Sequence, residues 1–181
     1  MQDNIFDKVF RGVYKKEIHD GFEKLQKQYF RLLGKYNQQK GLFAEYAILN
    51  LVRYQSQKNN DLLKSVTRNL PGDFKFCEYS RVWRYDGVVE FGAPFNVDIY
   101  ARAQSPADYS ISGEIKNRDR KKFTREEAIA FMEKYTVLKS SEKLDRVIPF
   151  IFSRPGFTGE AESYCQANNM AWSLDEHWLG L

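Results

Sequence analysis

Two of the commonest grounds for assigning a chain to a special class are missing here. Only two cysteines, Cys77 and Cys165, occur in 181 residues, and their separation gives neither a disulfide framework nor the close pairs of a zinc site. The two histidines, His19 and His177, lie far apart, and nothing joins them in a metal or catalytic pattern. No apolar run approaches the roughly 20 residues that cross a bilayer. The first residues, MQDNIFDKVF, lack the basic patch and apolar stretch of a signal peptide. These absences predict a reducing cytoplasm as the setting and exclude membrane insertion. There is no internal repeat and no low-complexity tract.

What is present is the composition of a folded protein. Apolar residues make up 43%, aromatics 15% and charged residues 29%, enough for a core and for a solvated surface. The length suits one compact domain plus an extension. A net charge of +4 suits an anionic partner such as nucleic acid without requiring one.

Periodicity divides the chain. Ile18, Phe22, Leu25, Tyr29 and Leu32 recur at steps of four and three, one face of an amphipathic helix that begins as early as Phe6. Gly34 reads as its stop, and a second helix is expected from about Gly41 to Tyr54. This places a helical extension over residues 1–37 and the main domain over 38–181. Beyond Asp73 come runs rich in β-branched and aromatic residues, Tyr79 to Phe91, Phe95 to Ala101 and Tyr109 to Asn117, separated by Gly-Ala-Pro and Ser-Pro-Ala-Asp turns. Thr124 with Glu127 forms a capping box opening a helix to about Leu138. Val147 to Ser153 reads as a buried strand, Pro155-Gly156 as a turn, Thr158 to Asn168 as a helix and Met170 to Leu174 as a last short strand. The expected class is mixed α/β: helix, three-strand meander, helix, strand, helix, strand.

The chemistry lies in the meander. Strand alternation puts Ser110, Ser112, Glu114 and Lys116 on one face and Tyr109, Ile111, Gly113 and Ile115 on the other. In the preceding strand Asn96, Asp98 and Tyr100 are expected to share a face opposite Val97, Ile99 and Ala101, so that hairpin pairing brings Asp98 beside Glu114. Two carboxylates and an ammonium would then converge. An isolated E-x-K triplet is usually no more than the outward residues of a half-exposed strand; its alignment with Asp98 gives it weight. Glu45 adds to it, falling on a stripe with Leu42, Leu49 and Val52 where an apolar residue is expected. A carboxylate buried there needs a cation, a donor or a metal.

With these residues in place, the chain resembles the PD-(D/E)xK nuclease superfamily, the group of restriction-like and Holliday-junction-resolvase-like enzymes. The resemblance runs from about Gln38 to the end and rests on Glu45 in GLFAEYAI, Asp98 in FNVDIYA, and Glu114 with Lys116 in SGEIKNR. Val97 stands where the motif has proline. The resemblance implies a helix, three strands, a helix and a strand as the core. It implies Asp98, Glu114 and the main-chain carbonyl of Ile115 as ligands of Mg²⁺, with Mn²⁺ able to substitute, Glu45 as an auxiliary ligand and Lys116 as the catalytic lysine. The activity implied is metal-dependent hydrolysis of phosphodiester bonds, with DNA as the expected substrate, RNA as an alternative, and restriction, repair, recombination or mobile-element biology as the setting.

Arg118, Arg120, Lys121 and Lys122 follow the last site residue directly and suit contacts to flanking phosphates. Lys24, Lys27, Arg31 and Lys35 share one side of the N-terminal helix, where a solvated face is the simpler reading. The apolar stripe of that helix needs cover from the core, from a second copy of the chain or from a partner protein. Trp83 and Tyr85 suit sheet-face packing better than base stacking. The competing function is a non-catalytic module that binds nucleic acid or protein on the same fold.

Overall fold

The computed structural model describes residues 5–87 and 95–180. The expected end of the first strand, Val88 to Phe91, and the Gly92-Ala93-Pro94 turn lie outside the described residues. In chain order the elements are α1 (Ile5–Asn50), α2 (Asn60–Ser65), β1 (Tyr79–Gly87), β2 (Phe95–Ala103), β3 (Ser110–Lys116), α3 (Arg125–Ser141), β4 (Val147–Ser153), α4 (Gly159–Ala167) and β5 (Ala171–Ser173). The strands form one mixed sheet in the order β1-β2-β3-β4-β5. The meander β1, β2, β3 is antiparallel, whereas β4 and β5 join in parallel. Parallel neighbours need a crossover, and α3 and α4 supply it.

α1 corrects one sequence expectation. It runs through Gly34 and Gly41 without a break, because a glycine inside a helix costs only about 1 kcal/mol against alanine. Between the glycines stand good helix formers and no proline. The chain packs as two units, Met1–Gln39 and Lys40–Leu181. In the first, Phe22, Leu25, Tyr29, Leu32 and Tyr36 are 58–70% exposed, so the described residues of this chain do not cover the stripe.

In the second unit, the last turns of α1 bury Ala44 and Ile48, and the helix then widens into a π-helical turn, Leu51–Gln55, that buries Leu51 and Val52 together. The buried line is thus offset from the expected Leu42, Glu45, Leu49, Val52 stripe: Leu42 is exposed, and Glu45 flanks the core instead of entering it. The offset arises within the regular helix: Ala44, Ile48 and Leu51 keep the four-and-three spacing on a neighbouring stripe, and periodicity alone does not choose between the two. The short α2 has no counterpart in the sequence reading; its one buried residue is Leu63.

Two apolar clusters sandwich the sheet. Ile48, Val52, Phe74, Phe76 and Trp178 pack on one face against Ile99, Ile111, Ile115, Ile148, Phe150 and Phe152. On the other, Ala128, Phe131, Tyr135, Leu138, Ala161 and Cys165 pack against Val97, Tyr100, Val147 and Ile151. Trp83 and Tyr85 meet Tyr100 edge-on, each at 5.5 Å between centroids, and serve sheet packing. α3 opens on the expected capping box, with the Thr124 hydroxyl accepting from Glu127 N–H and the Glu127 carboxylate from Thr124 N–H. Gly156, at φ +84°, makes the turn after β4.

Gly113 sits where the sheet is tightest. A β-carbon there would meet Ile99 Cδ1 at 3.0 Å and the Phe150 carbonyl oxygen at 3.1 Å. The second contact is backbone and cannot rotate away. Gly113→Ala should therefore destabilise the domain by roughly 1–3 kcal/mol, read as a lower denaturation midpoint with an unchanged slope; a neutral substitution would contradict this packing.

Candidate functional site

The ladder between β2 and β3 pairs Ala101 with Ile111, Tyr100 with Ser112 and Ile99 with Gly113, and goes no further. β3 meanwhile continues beside β4 as far as Lys116 opposite Ser153. The sheet therefore opens between β2 and β3 at the point where the register would next set Asp98 against Glu114. In this ladder the odd-numbered residues of β3 turn their amides toward β2, since Ser110 N–H donates to Arg146 on the other side. The Ile115 N–H accordingly faces the gap, and Asp98 Oδ2 accepts from it at 2.8 Å. The Ile115 carbonyl lies on the same edge of the strand.

A bulge aims Asp98. β1 and β2 pair Trp83 with Tyr100 and Tyr85 with Val97, so Arg84 is opposed by two residues, Asp98 and Ile99. An extra residue in one strand breaks the alternation of faces. Val97 and Tyr100 consequently pack in one cluster, Ile99 and Ala101 in the other. This corrects the expectation that Asn96, Asp98 and Tyr100 share a face. The strict alternation does hold along β3, where Ile111 and Ile115 pack on the α1 side and Glu114 faces α3.

Charges gather around the opening from both layers. Asp98 and Glu114 are buried. The Lys116 ammonium donates to Glu114 Oε1, and the Lys134 ammonium, from α3, donates to Glu114 Oε2 at 3.3 Å. Glu45 pairs with Arg84 at 3.4 Å. Burial and then the Glu114 charge hold the Asp98 carboxyl above the usual carboxylate range, against the pull of the Ile115 N–H, Lys116 and Lys134. Burial and then Asp98 likewise raise Glu45, against Arg84 and Lys116. The expected quartet of Glu45, Asp98, Glu114 and Lys116 thus shares one electrostatic neighbourhood. Lys134 was not anticipated.

No protein-family model, curated protein or solved structure matches the chain. The chemistry of the site rests on its own geometry.

The segment after β3 is partly structural. Arg118 is half-buried and pairs with Glu127 at 2.6 Å, tying the loop to the cap of α3. Lys121 reaches the same carboxylate at 3.8 Å. Burial opposes the charge of Glu127, but Arg118 and the Thr124 N–H hold its carboxyl below the usual range. Arg120 and Lys122 are exposed, with no ion pair among the described residues. The loop is further fixed by Asn117, whose amide donates to the Lys40 carbonyl at 3.0 Å, and by an ion pair between Lys40 and Asp119. Lys24, Lys27, Arg31 and Lys35 are exposed on α1.

Cysteine chemistry is poorly served. Burial pushes the Cys77 thiol up to about 11 and that of Cys165 up to about 12, so neither is a thiolate nucleophile at neutral pH. His19 and His177 pair with neighbouring carboxylates, Glu23 and Asp175, on exposed surface. Among the described residues no group of three or more His, Cys, Asp or Glu side chains is gathered closely enough to form a metal cage. The donors at the opening are instead two carboxylates and a main-chain carbonyl, all oxygen. That set fits Mg²⁺, which binds through one or two carboxylates and keeps several waters, and does not fit zinc.

The raised carboxyls set a pH dependence. A carboxyl whose pKa is higher in the folded chain favours folding while it is protonated. That contribution is complete below the unfolded value near 4 and is lost as pH rises through the folded value. Asp98→Asn removes the charge and keeps an acceptor for the Ile115 N–H. In the presence of a chelator it should melt higher than the parent at neutral pH, with the advantage shrinking toward about pH 4. A variant that melts lower at neutral pH would overturn this electrostatic account.

Proposed function

We propose that the chain is a Mg²⁺-dependent nuclease of the PD-(D/E)xK type, most simply an endonuclease acting on DNA in restriction, repair, recombination or mobile-element biology. The observation that carries this reading is the convergence of Asp98, Glu114 and Lys116 at the opening between β2 and β3. Asp98, Glu114 and the Ile115 carbonyl are the groups that would hold the ion, with Glu45 as auxiliary. A bound Mg²⁺ supplies charge neutralisation at the phosphate and a water of lowered pKa.

The side chains themselves have separate tasks. Asp98 is fixed by its bond to the Ile115 N–H, so one of its oxygens is committed to the backbone and its orientation does not drift. Lys116 is drawn to Glu114 with its side chain 24% exposed, which keeps an ammonium at the mouth of the site. There it can orient the attacking water or offset charge growing on the phosphate. Arg120, Lys121 and Lys122, exposed beyond the end of β3, would contact flanking phosphates, positioning the substrate without reading its sequence. Arg118 contributes less directly, through its hold on α3. The proposed setting is the cytoplasm, where the two free, buried cysteines would stay reduced; no described helix is long and apolar enough to span a membrane. The uncovered stripe of α1 offers a surface to a second copy or a partner protein, and the nuclease reading requires neither.

Incubation of the purified protein with duplex, single-stranded and branched DNA and with RNA, with and without Mg²⁺ or Mn²⁺, tests the proposal. Cleavage should need metal, and Asp98→Ala and Lys116→Ala should each reduce its rate by about 100-fold or more. Intact substrates in every metal condition, or variants that cut like the parent, would favour a non-catalytic binding module on this fold.

A further inference from the structure

Lys134 flanks the buried stripe of α3. Ala128, Phe131, Tyr135 and Leu138 fill the core positions at steps of three and four, and the Lys134 side chain, 31% exposed, lies at their edge beside the sheet. The helix offers the ammonium no partner, since the residues one turn away are Ala130, Phe131, Val137 and Leu138. Its ion pair is made across to the sheet, with Glu114 Oε2 at 3.3 Å. The Glu114 side chain is only 9% exposed, and its other oxygen takes Lys116. One buried carboxylate is thereby shared by two lysines, one from its own strand and one from the helix layer.

We propose that Lys134 is a second lysine of the catalytic centre, a positioning residue that acts through Glu114. This rests on the nuclease reading above. Lys134 pins the Glu114 carboxylate so that its orientation survives when Lys116 turns to the substrate. Its positive charge also opposes a divalent cation at the same carboxylate, so the centre gives up some metal affinity for a fixed geometry. The charge extends beyond Glu114, for it acts on Asp98 as well. A lysine present only to cap a polar spot in the helix–sheet interface would have no such link to the metal.

The two effects have opposite signs, which makes them separable from a structural role. Lys134→Met keeps the length and the apolar stem and removes the charge. Mn²⁺ titration of the full chain, followed by the loss of the free-ion paramagnetic resonance signal, should show the variant binding about 3- to 10-fold more tightly than the parent. Cleavage by the same variant should have a lower kcat with KM for the nucleic acid unchanged. Lys134→Arg, which keeps the charge and can still reach Glu114, should restore both values toward the parent. Equal or weaker Mn²⁺ binding by Lys134→Met, or an unchanged kcat, overturns the role of Lys134 while leaving the nuclease reading intact. A parent protein that binds no Mn²⁺ and cuts nothing overturns both.

Discussion

The bond from the Ile115 amide to the Asp98 carboxylate decides how this sheet is used. In an unbroken antiparallel ladder that amide would find a carbonyl of β2 and the two strands would stay closed. A side-chain acceptor at 2.8 Å satisfies the donor just as well, and the ladder can end without leaving a buried N–H orphaned. β3 loses nothing on its other edge, where it stays paired with β4 through Lys116. The sheet can therefore part on one side of a central strand and remain continuous on the other. Charged residues from both layers stand around the parting: Glu45 of α1 pairs with Arg84 of β1, and Lys134 of α3 pairs with Glu114.

That arrangement is electrostatically strained by design of the chain. Asp98, Glu114 and Glu45 repel one another, and burial makes each charge more costly. Lys116, Lys134 and Arg84 relieve the strain by contact, each on one of the carboxylates. None of these pairs is a convincing stability device, since a buried ion pair seldom exceeds the desolvation it incurs. A hydrophobic patch in the same place would fold at least as well. Under the nuclease reading proposed above, a divalent cation would offset the repulsion between these carboxylates.

How much of this was legible in the sequence depended on whether the local backbone kept its ideal period. Along β3 the two-residue alternation is regular, so the shared face of Glu114 and Lys116 and the inward Ile111 and Ile115 could be read directly. β2 carries a bulge opposite Arg84; Asp98 could be paired with Glu114 from the register, but not assigned to a face. On α1 two neighbouring stripes, Leu42-Glu45-Leu49 and Ala44-Ile48-Leu51, both carry apolar residues at helical spacing, and only the packing selects the second. Gly34 misled because a glycine weakens a helix without ending it. Thr124, Glu127 and the β4 run were readable because capping boxes and buried strands are set by a few adjacent residues. Lys134 had no comparable signal: it stands beside the apolar stripe of α3, which Tyr135 completes, and its pairing with Glu114 depends on how the helix sits on the sheet.

Under the nuclease reading proposed above, an anionic substrate would be repelled by the cluster of carboxylates, and a net charge of +4 spread over the whole chain does little to change that at short range. What matters is where the positive charges stand. Lys116 and Lys134 lie against Glu114 itself. Arg118 is fixed at the start of α3 by Glu127, and Arg120, Lys121 and Lys122 are exposed on the segment that follows β3. Asn117 and Asp119, anchored to Lys40, hold this segment to the last turns of α1. The anchoring matters because phosphate contacts from a rigid loop cost less ordering entropy than contacts from a loose one. The basic segment therefore has two parts, a base anchored through Asn117, Arg118 and Asp119 and an exposed end, of which Lys121 still reaches Glu127 at 3.8 Å.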